Sequence, residues 1–324
     1  MDNSTPHSIL VLSDPTEPQL TMLDALPENT SLAVGKAPAA FERAASDADV
    51  IFNWSAGRDL LREVFAMTPR VRWIHSRSAG LDNLLFPELV HSPVPLTNGA
   101  GVFSQSLGEF TLAAILYFAK DFRRMIRNQA AGRWEQFDVH EIQGQTVGIV
   151  GYGDIGRAIA TRCRAMGMRV LAVKRHANGH IDPLVERVYS PDQRCEMIAQ
   201  CDYVAVAAPL TEETRGMIGD AEFAAMKPGS VILNVGRGPV IDEPAMLKAL
   251  TEGRIKGAGL DVFTHEPLPD GHPFYKMENV LLSPHCADHT MDWLEQAMGF
   301  FLENFDRYSK GEPLRNVVDK KLGY

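Results

Sequence analysis

One short stretch constrains the fold more than any other: the strand-like run Thr146-Val147-Gly148-Ile149-Val150 leads straight into Gly151-Tyr152-Gly153-Asp154-Ile155-Gly156. A helical pattern then opens at Arg157-Ala158-Ile159-Ala160. Each glycine has its own physical reason at that spacing. Gly151 permits the tight turn out of the strand, Gly153 lets the backbone approach a pyrophosphate, and Gly156 lets helix and strand pack closely. The free N–H groups and the positive dipole end of the helix then face the phosphates. A glycine-spaced turn alone is weak grounds for a ligand. Between a strand and a helix, inside a βαβ series, it reads as a dinucleotide loop in which Tyr152, Asp154 and Ile155 are further contacts.

The surrounding pattern supplies that series. Strands are expected at 146–150, 169–173, 203–207, 230–235, 257–262 and 280–283, with helices at 157–166, 191–200, 220–226 and 243–252. Six such strands make one doubly wound sheet. Upstream, strands at 9–12, 50–53 and 71–74 with a helix at 60–66 predict a second parallel sheet. Long amphipathic segments at 105–128 and 290–310 read as the connections between the two. The expected architecture is α/β, with two doubly wound, Rossmann-like domains. The C-terminal segment returns to the first, so residues 1–101 and 290–324 form a discontinuous domain and 102–289 the dinucleotide-binding one.

The formal net charge of −9 argues against a general nucleic-acid binder, which needs a basic face. It leaves room for an anionic substrate, because a few local cations suffice to bind one. The longest apolar stretch, near 112–119, is far short of a membrane span, so no membrane association is expected. The first residues carry no basic segment followed by a long apolar run, and the four cysteines show no CxxC spacing. Both features predict a cytoplasmic protein with reduced thiols.

Cofactor choice is written at the end of the second strand of the dinucleotide domain. An NAD site places a carboxylate about 20 residues beyond the glycines, to accept from the ribose 2′-hydroxyl. Here the chain reads Val173-Lys174-Arg175-His176, and no Asp or Glu occurs from 155 to 181. Lys174 and Arg175 would attract a 2′-phosphate, so NADP(H) is expected over NAD(H). The alternative is that both are solvated strand-end charges.

Three later segments place polar residues where open α/β sheets bind ligands. They are Asn234-Val235-Gly236-Arg237-Gly238-Pro239, the run from Leu260-Asp261 to Glu266-Pro267, and Leu282-Ser283-Pro284-His285. Reducing a 2-oxo acid requires a cation for the carboxylate, a proton donor for the carbonyl oxygen, and hydride from the opposite side. Arginine meets a carboxylate bidentately, and histidine titrates near working pH. A carboxylate beside that histidine would favour the imidazolium. Singly, each residue is an ordinary loop feature. Following three strands of one sheet, they read as a catalytic set. His285, Asp288 and His289 have some likeness to a metal site, but Pro284 puts His285 in a turn and the expected chemistry needs no metal.

Over nearly its whole length the chain resembles the D-isomer-specific 2-hydroxyacid dehydrogenase family. The markers are Ser78-Ala79-Gly80-Leu81-Asp82, the stretch from Thr97-Asn98 to Glu109, Gly132-Arg133-Trp134, the glycine loop, and Pro209-Leu210-Thr211 with Thr214. The three catalytic segments and the ending from Glu312 through Asn316 complete them. The resemblance implies that Arg237 binds the substrate, His285 is the general acid/base and Glu266 is its partner. The backbone of Ser78, Ala79 and Gly80 would hold the substrate carboxylate, and Asp261 would meet the nicotinamide amide. Pro209, Thr214, Val235 and Gly236 count as further dinucleotide contacts. The family's active site lies in the cleft between its two domains, and the usual assembly is a homodimer. Two positions depart from the common pattern: Phe110 follows Glu109 where many members have His, and Asp288 stands near His285 where a small residue is common.

The expected reaction is reduction of a small 2-oxo acid such as glyoxylate or hydroxypyruvate, with D-lactate, D-phosphoglycerate or another D-2-hydroxy acid as alternatives. From a different class, the same fold serves as a dinucleotide-sensing corepressor. Substrate identity is expected to rest on loops near 54–57 and 76–81.

Overall fold

The computed structural model describes residues 6–175 and 182–324, so His176 of the predicted cofactor segment lies outside the described residues. The chain divides into two compact units, Met1–Phe103 with Met291–Tyr324, and Ser104–Thr290.

The first unit is built on a five-stranded sheet of β1 (His7–Leu12), β2 (Thr30–Gly35), β3 (Val50–Asn53), β4 (Trp73–Ser76) and β5 (Leu96–Thr97), in the order β2-β1-β3-β4-β5. All neighbouring pairs are parallel. Every residue of β3 and β4 is buried, which is why these strands read as unbroken apolar runs. Helix Trp293–Ser309 packs on this sheet, with Phe301 stacked on Phe52 at 3.8 Å between ring centroids and on Trp73 at 5.5 Å. Two strands lie outside the sequence expectation. Edge strand β2 is half exposed and β5 has only two residues, so neither shows a buried-strand pattern. A third difference is one of position. The strand expected at 71–74 begins at Trp73, because the Val71 N–H closes a turn onto Thr68 after the preceding helix.

The second unit holds a seven-stranded parallel sheet: β6 (Thr146–Val150), β7 (Arg169–Val173), β8 (Arg187–Tyr189), β9 (Tyr203–Val206), β10 (Val231–Asn234), β11 (Gly257–Leu260) and β12 (Val280–Leu282). Their order, β12-β11-β10-β9-β6-β7-β8, reverses direction between β6 and β9, the switch point where such sheets bind ligands. The seventh strand, against six expected, is β8. It is a three-residue edge piece beginning with an exposed arginine, so it carries no sequence signature of its own. The ladder continues past several strands as single hydrogen bonds, from Val235 to Val206, Asp261 to Asn234 and Ser283 to Leu260. These bonds carry each functional loop directly off a strand end.

Two helical expectations are corrected. Residues 105–128 form not one segment but two helices, Ser104–Ala119 and Phe122–Ala130. They break at Asp121, which takes a left-handed backbone (φ 52°) and caps the second with its side chain. Residues 191–200 form a 3-10 turn, Pro191–Gln193, followed by a short helix, Arg194–Ile198. Helix Ser104–Ala119 lies so close to helix Asp154–Ala165 that a Cβ on Gly108 would stand 3.0 Å from the Ala158 carbonyl carbon. Among the described residues no helix is long and apolar enough to cross a membrane.

Candidate active site

At the switch point, β6 ends in the glycine loop. Gly151 has φ 95°, and a Cβ there would meet the Ala208 amide nitrogen at 2.5 Å. A Cβ on Gly156 would lie 2.5 Å from the Gly151 carbonyl oxygen and 3.2 Å from Ile149. The fold itself therefore requires both glycines. Gly153 is different: among the described residues nothing lies within 4 Å of where its Cβ would be. The structure gives no internal reason for that glycine, whereas a dinucleotide lying against it does. Gly153 is also the N-cap of helix Asp154–Ala165 and supplies no side-chain cap, so the first-turn N–H groups remain open to an anion. Tyr152 is buried, and Asp154 and Ile155 form the first helical turn. These residues fit a bound dinucleotide.

Beyond β7, Lys174 is exposed and Arg175 is half-buried, paired through its guanidinium with the exposed Glu213. Glu213 belongs to the loop after β9 in which Thr214 accepts from the Thr211 N–H at 2.8 Å and donates to the Pro209 carbonyl at 2.7 Å. Thr214 thus shapes the loop that carries Pro209. Val235 is buried, and the Gly236 N–H donates to Asn234 Oδ1 at 3.1 Å.

Arg237, Glu266 and His285 meet on the same sheet. His285 Nδ1 lies 2.6 Å from Glu266 Oε2, and Glu266 Oε1 accepts the Phe263 N–H at 2.8 Å. The hydrogen bond to Glu266 raises the His285 pKa above its ordinary value, outweighing burial and the nearby Arg237, which both push it down. Burial would raise the Glu266 carboxyl, but the bonds from His285 and Phe263 and the Arg237 charge hold it below the usual carboxylate range. The Arg237 guanidinium donates to the Gly236 carbonyl at 2.8 Å, and its own carbonyl accepts from the Asn234 side chain at 3.0 Å. His285 has φ 52°, a left-handed conformation that a histidine adopts at some cost.

Asp261 explains how that conformation is held. It is 1% exposed, and its Oδ1 accepts from Ser283 Oγ at 2.6 Å and from the Cys286 and Ala287 N–H groups at 3.0 Å each. Those donors flank His285 on both sides. Sequence reasoning missed this anchoring role, and it missed Ser283, Asn234 and Glu213 as supporting residues. Asp288, flagged as a departure, is partly buried with its pKa raised by burial; His289 and His285 oppose the rise. Among the described residues no group of three or more His, Cys, Asp or Glu side chains is placed to hold a metal.

Ser78, Ala79 and Gly80 lie in the first unit, in the loop after β4. The Ser78 and Ala79 carbonyls accept from the Gly99 N–H and the Asn98 side chain, at 3.2 and 2.7 Å. The amide N–H groups of residues 78–80 bond to no other group among the described residues.

Residues 112–287 match the model of the D-isomer specific 2-hydroxyacid dehydrogenase NAD binding domain. The chain is also 33% identical over 266 residues to a glyoxylate reductase from Korarchaeum cryptofilum, with 80% of each chain covered. It belongs to the D-isomer specific 2-hydroxyacid dehydrogenase family. Solved structures agree. A family member from Xanthobacter autotrophicus Py2, in complex with NADPH and MES, superposes with a TM-score of 0.85 at 29% identity, covering 99% of this dehydrogenase and 100% of that chain. An NADPH-dependent glyoxylate/hydroxypyruvate reductase from Sinorhizobium meliloti, in complex with NADP and sulfate, gives a TM-score of 0.84 at 26% identity, with 99% and 100% covered. The glycine loop and the trio Arg237, Glu266 and His285 all fall within the matched domain, so the dehydrogenase's dinucleotide loop and its titratable cluster belong to one sheet.

Proposed function

We propose that this dehydrogenase reduces a small 2-oxo acid of the glyoxylate or hydroxypyruvate kind to its D-2-hydroxy acid, with NADPH as the preferred cofactor. The observation that carries the reading is the Glu266–His285 pair, with Arg237 in electrostatic reach of both. A reduced nicotinamide dinucleotide, when bound, supplies the hydride. Gly151, Tyr152, Gly153, Asp154, Ile155 and Gly156 would hold its pyrophosphate; Pro209, Thr214, Val235 and Gly236 would line it; Asp261 would meet its amide.

The chain's own residues supply the rest. Arg237 binds the substrate carboxylate and polarises the carbonyl, and the free N–H groups of Ser78, Ala79 and Gly80 suit a carboxylate as well. His285 Nδ1 is committed to Glu266, which leaves Nε2–H to donate a proton to the carbonyl oxygen. Glu266 keeps the ring protonated and oriented until that moment.

Lys174 and Arg175 support the NADPH preference. One partner of Arg175 is the exposed carboxylate of Glu213, and a 2′-phosphate of roughly −1.5 to −2 charge competes well with it. A homodimer is supported by helix Phe122–Ala130, which exposes Phe122, Met125 and Ile126 at helical spacing, with Ile126 62% exposed.

The deciding experiment is steady-state kinetics of the purified protein on glyoxylate and hydroxypyruvate with NADPH and NADH at matched ionic strength. We expect turnover with both acids and a kcat/KM about tenfold or more higher with NADPH, the weight of one charge-assisted contact. Lys174→Ala with Arg175→Ala should narrow that gap mainly through KM. Absence of reduction overturns the reaction, and equal efficiency with NADH overturns the cofactor preference.

A further inference from the structure

In the first unit, Arg77 is built into the structure with no partner among the described residues for the donors of its guanidinium. Arg77 follows β4, immediately before Ser78. Its guanidinium carbon sits 4.7 Å from the ring centroid of Trp54, the first residue after β3, and 5.1 Å from that of Trp293, which opens the helix Trp293–Ser309. Cation–π contact with two indoles holds the guanidinium in place and leaves its N–H donors to be satisfied by another group. Among the described residues the guanidinium meets no hydrogen-bond acceptor and no carboxylate at ion-pair distance. Glu17, in the loop after β1, acts on it only at longer range, against the burial that disfavours its charge.

Two neighbours are left open in the same way. Among the described residues the indole N–H of Trp54, which is 1% exposed, has no acceptor, and Ser76, one residue before Arg77 and also 1% exposed, has an unpartnered hydroxyl. Buried donors without partners are rare, because each forfeits its bonds to water. The strand order β2-β1-β3-β4-β5 places its switch point between β1 and β3, and Trp54 and Glu17 follow those strands.

We infer that Arg77, held against Trp54 and Trp293, is a specificity-determining residue that binds a carboxylate of the substrate. The inference rests on the 2-oxo acid reading above and deepens it. A planar guanidinium fork pairs bidentately with a planar carboxylate, and a small 2-oxo acid offers that group. The carboxylate is either the one every 2-oxo acid carries at C1 or a second one farther along the chain.

The test combines kinetics with a binding signal that needs no turnover. With glyoxylate, which has one carboxylate, and 2-oxoglutarate, which has two, Arg77→Met should raise KM about tenfold or more, with the effect on KM exceeding that on kcat. A rise for both substrates assigns the C1 carboxylate, and a rise for 2-oxoglutarate alone assigns the second. Arg77→Lys should restore KM only in part, since lysine lacks the fork. Separately, oxalate added to the resting protein should change tryptophan fluorescence saturably, through Trp54 and Trp293, and Arg77→Met should abolish that change. Unaltered KM values in Arg77→Met, with thermal melting matching the wild type, overturn the inference while leaving the reductase reading intact. An Arg77-dependent oxalate signal in a protein that reduces no 2-oxo acid supports the carboxylate site and overturns the reaction instead.

Discussion

The glycine loop at 151–156 and the turn at 283–287 leave strands of the same sheet, yet they are held in opposite ways. The glycine loop keeps its helix-start N–H groups open: that start is uncapped, and no described residue lies within 4 Å of a Cβ placed on Gly153. The His285 turn closes its polar groups on buried or half-buried carboxylates, three donors on Asp261 Oδ1 and the imidazole on Glu266. The difference follows from what each region has to do. Holding a pyrophosphate needs backbone shape and free N–H groups, which only small residues allow. Delivering a proton needs one side chain at one position with a shifted pKa, and only neighbouring charges and hydrogen bonds provide that.

The sharpest way to break the comparison is at the proton donor. His285→Asn keeps a residue that tolerates the left-handed backbone and removes the acid, so turnover should fall about 10²–10⁴-fold while cofactor binding stays near normal. Near-normal kcat in that variant would refute the assignment of His285.

The next test sets two glycines of the same loop against each other. Gly151→Ala places a methyl group at φ 95° against the Ala208 amide and should destabilise the fold by roughly 2 kcal/mol or more, read by denaturant unfolding. Gly153→Ala meets no described residue and should leave unfolding unchanged while raising the cofactor KM about tenfold. If the two variants behaved alike, the distinction between a structural and a ligand-facing glycine would fail.

The smallest expected effect is a shift of profile. Glu266 holds the His285 pKa upward, and proton donation is lost as pH rises through that pKa. Glu266→Gln should therefore move the basic limb of the reduction profile to lower pH, leaving the rate in acid less affected. A pH–rate profile identical to wild type would show that the 2.6 Å contact does not tune the histidine.

Much of the fold was legible because its central strands are buried on both faces. β6 and β7 have the bounds expected from their runs of buried residues, and the glycine loop is a local backbone pattern that one stretch of chain encodes. β2, β5 and β8 were not legible, being short or at sheet edges, where burial no longer imprints a pattern. In the site, the residue types of Arg237, Glu266 and His285 were readable from their order after strands. The role of Asp261 was not, because its partners Ser283, Cys286 and Ala287 reach it only when β11 and β12 lie side by side. Glu213 beside Arg175 is likewise a meeting of two loops that no local window contains.

What the sequence determined by itself is the parallel α/β plan, the dinucleotide loop and the kinds of side chain offered at strand ends. These depend on periodicity and backbone freedom over a few neighbouring residues. Only the tertiary structure decided the left-handed backbone of His285, its bond to Glu266, the pairing of Arg175 and the cation–π contacts of Arg77 with Trp54 and Trp293. Each of those depends on side chains from distant segments converging at strand ends, and distances of a few ångströms across a fold are set by packing rather than by spacing along the chain.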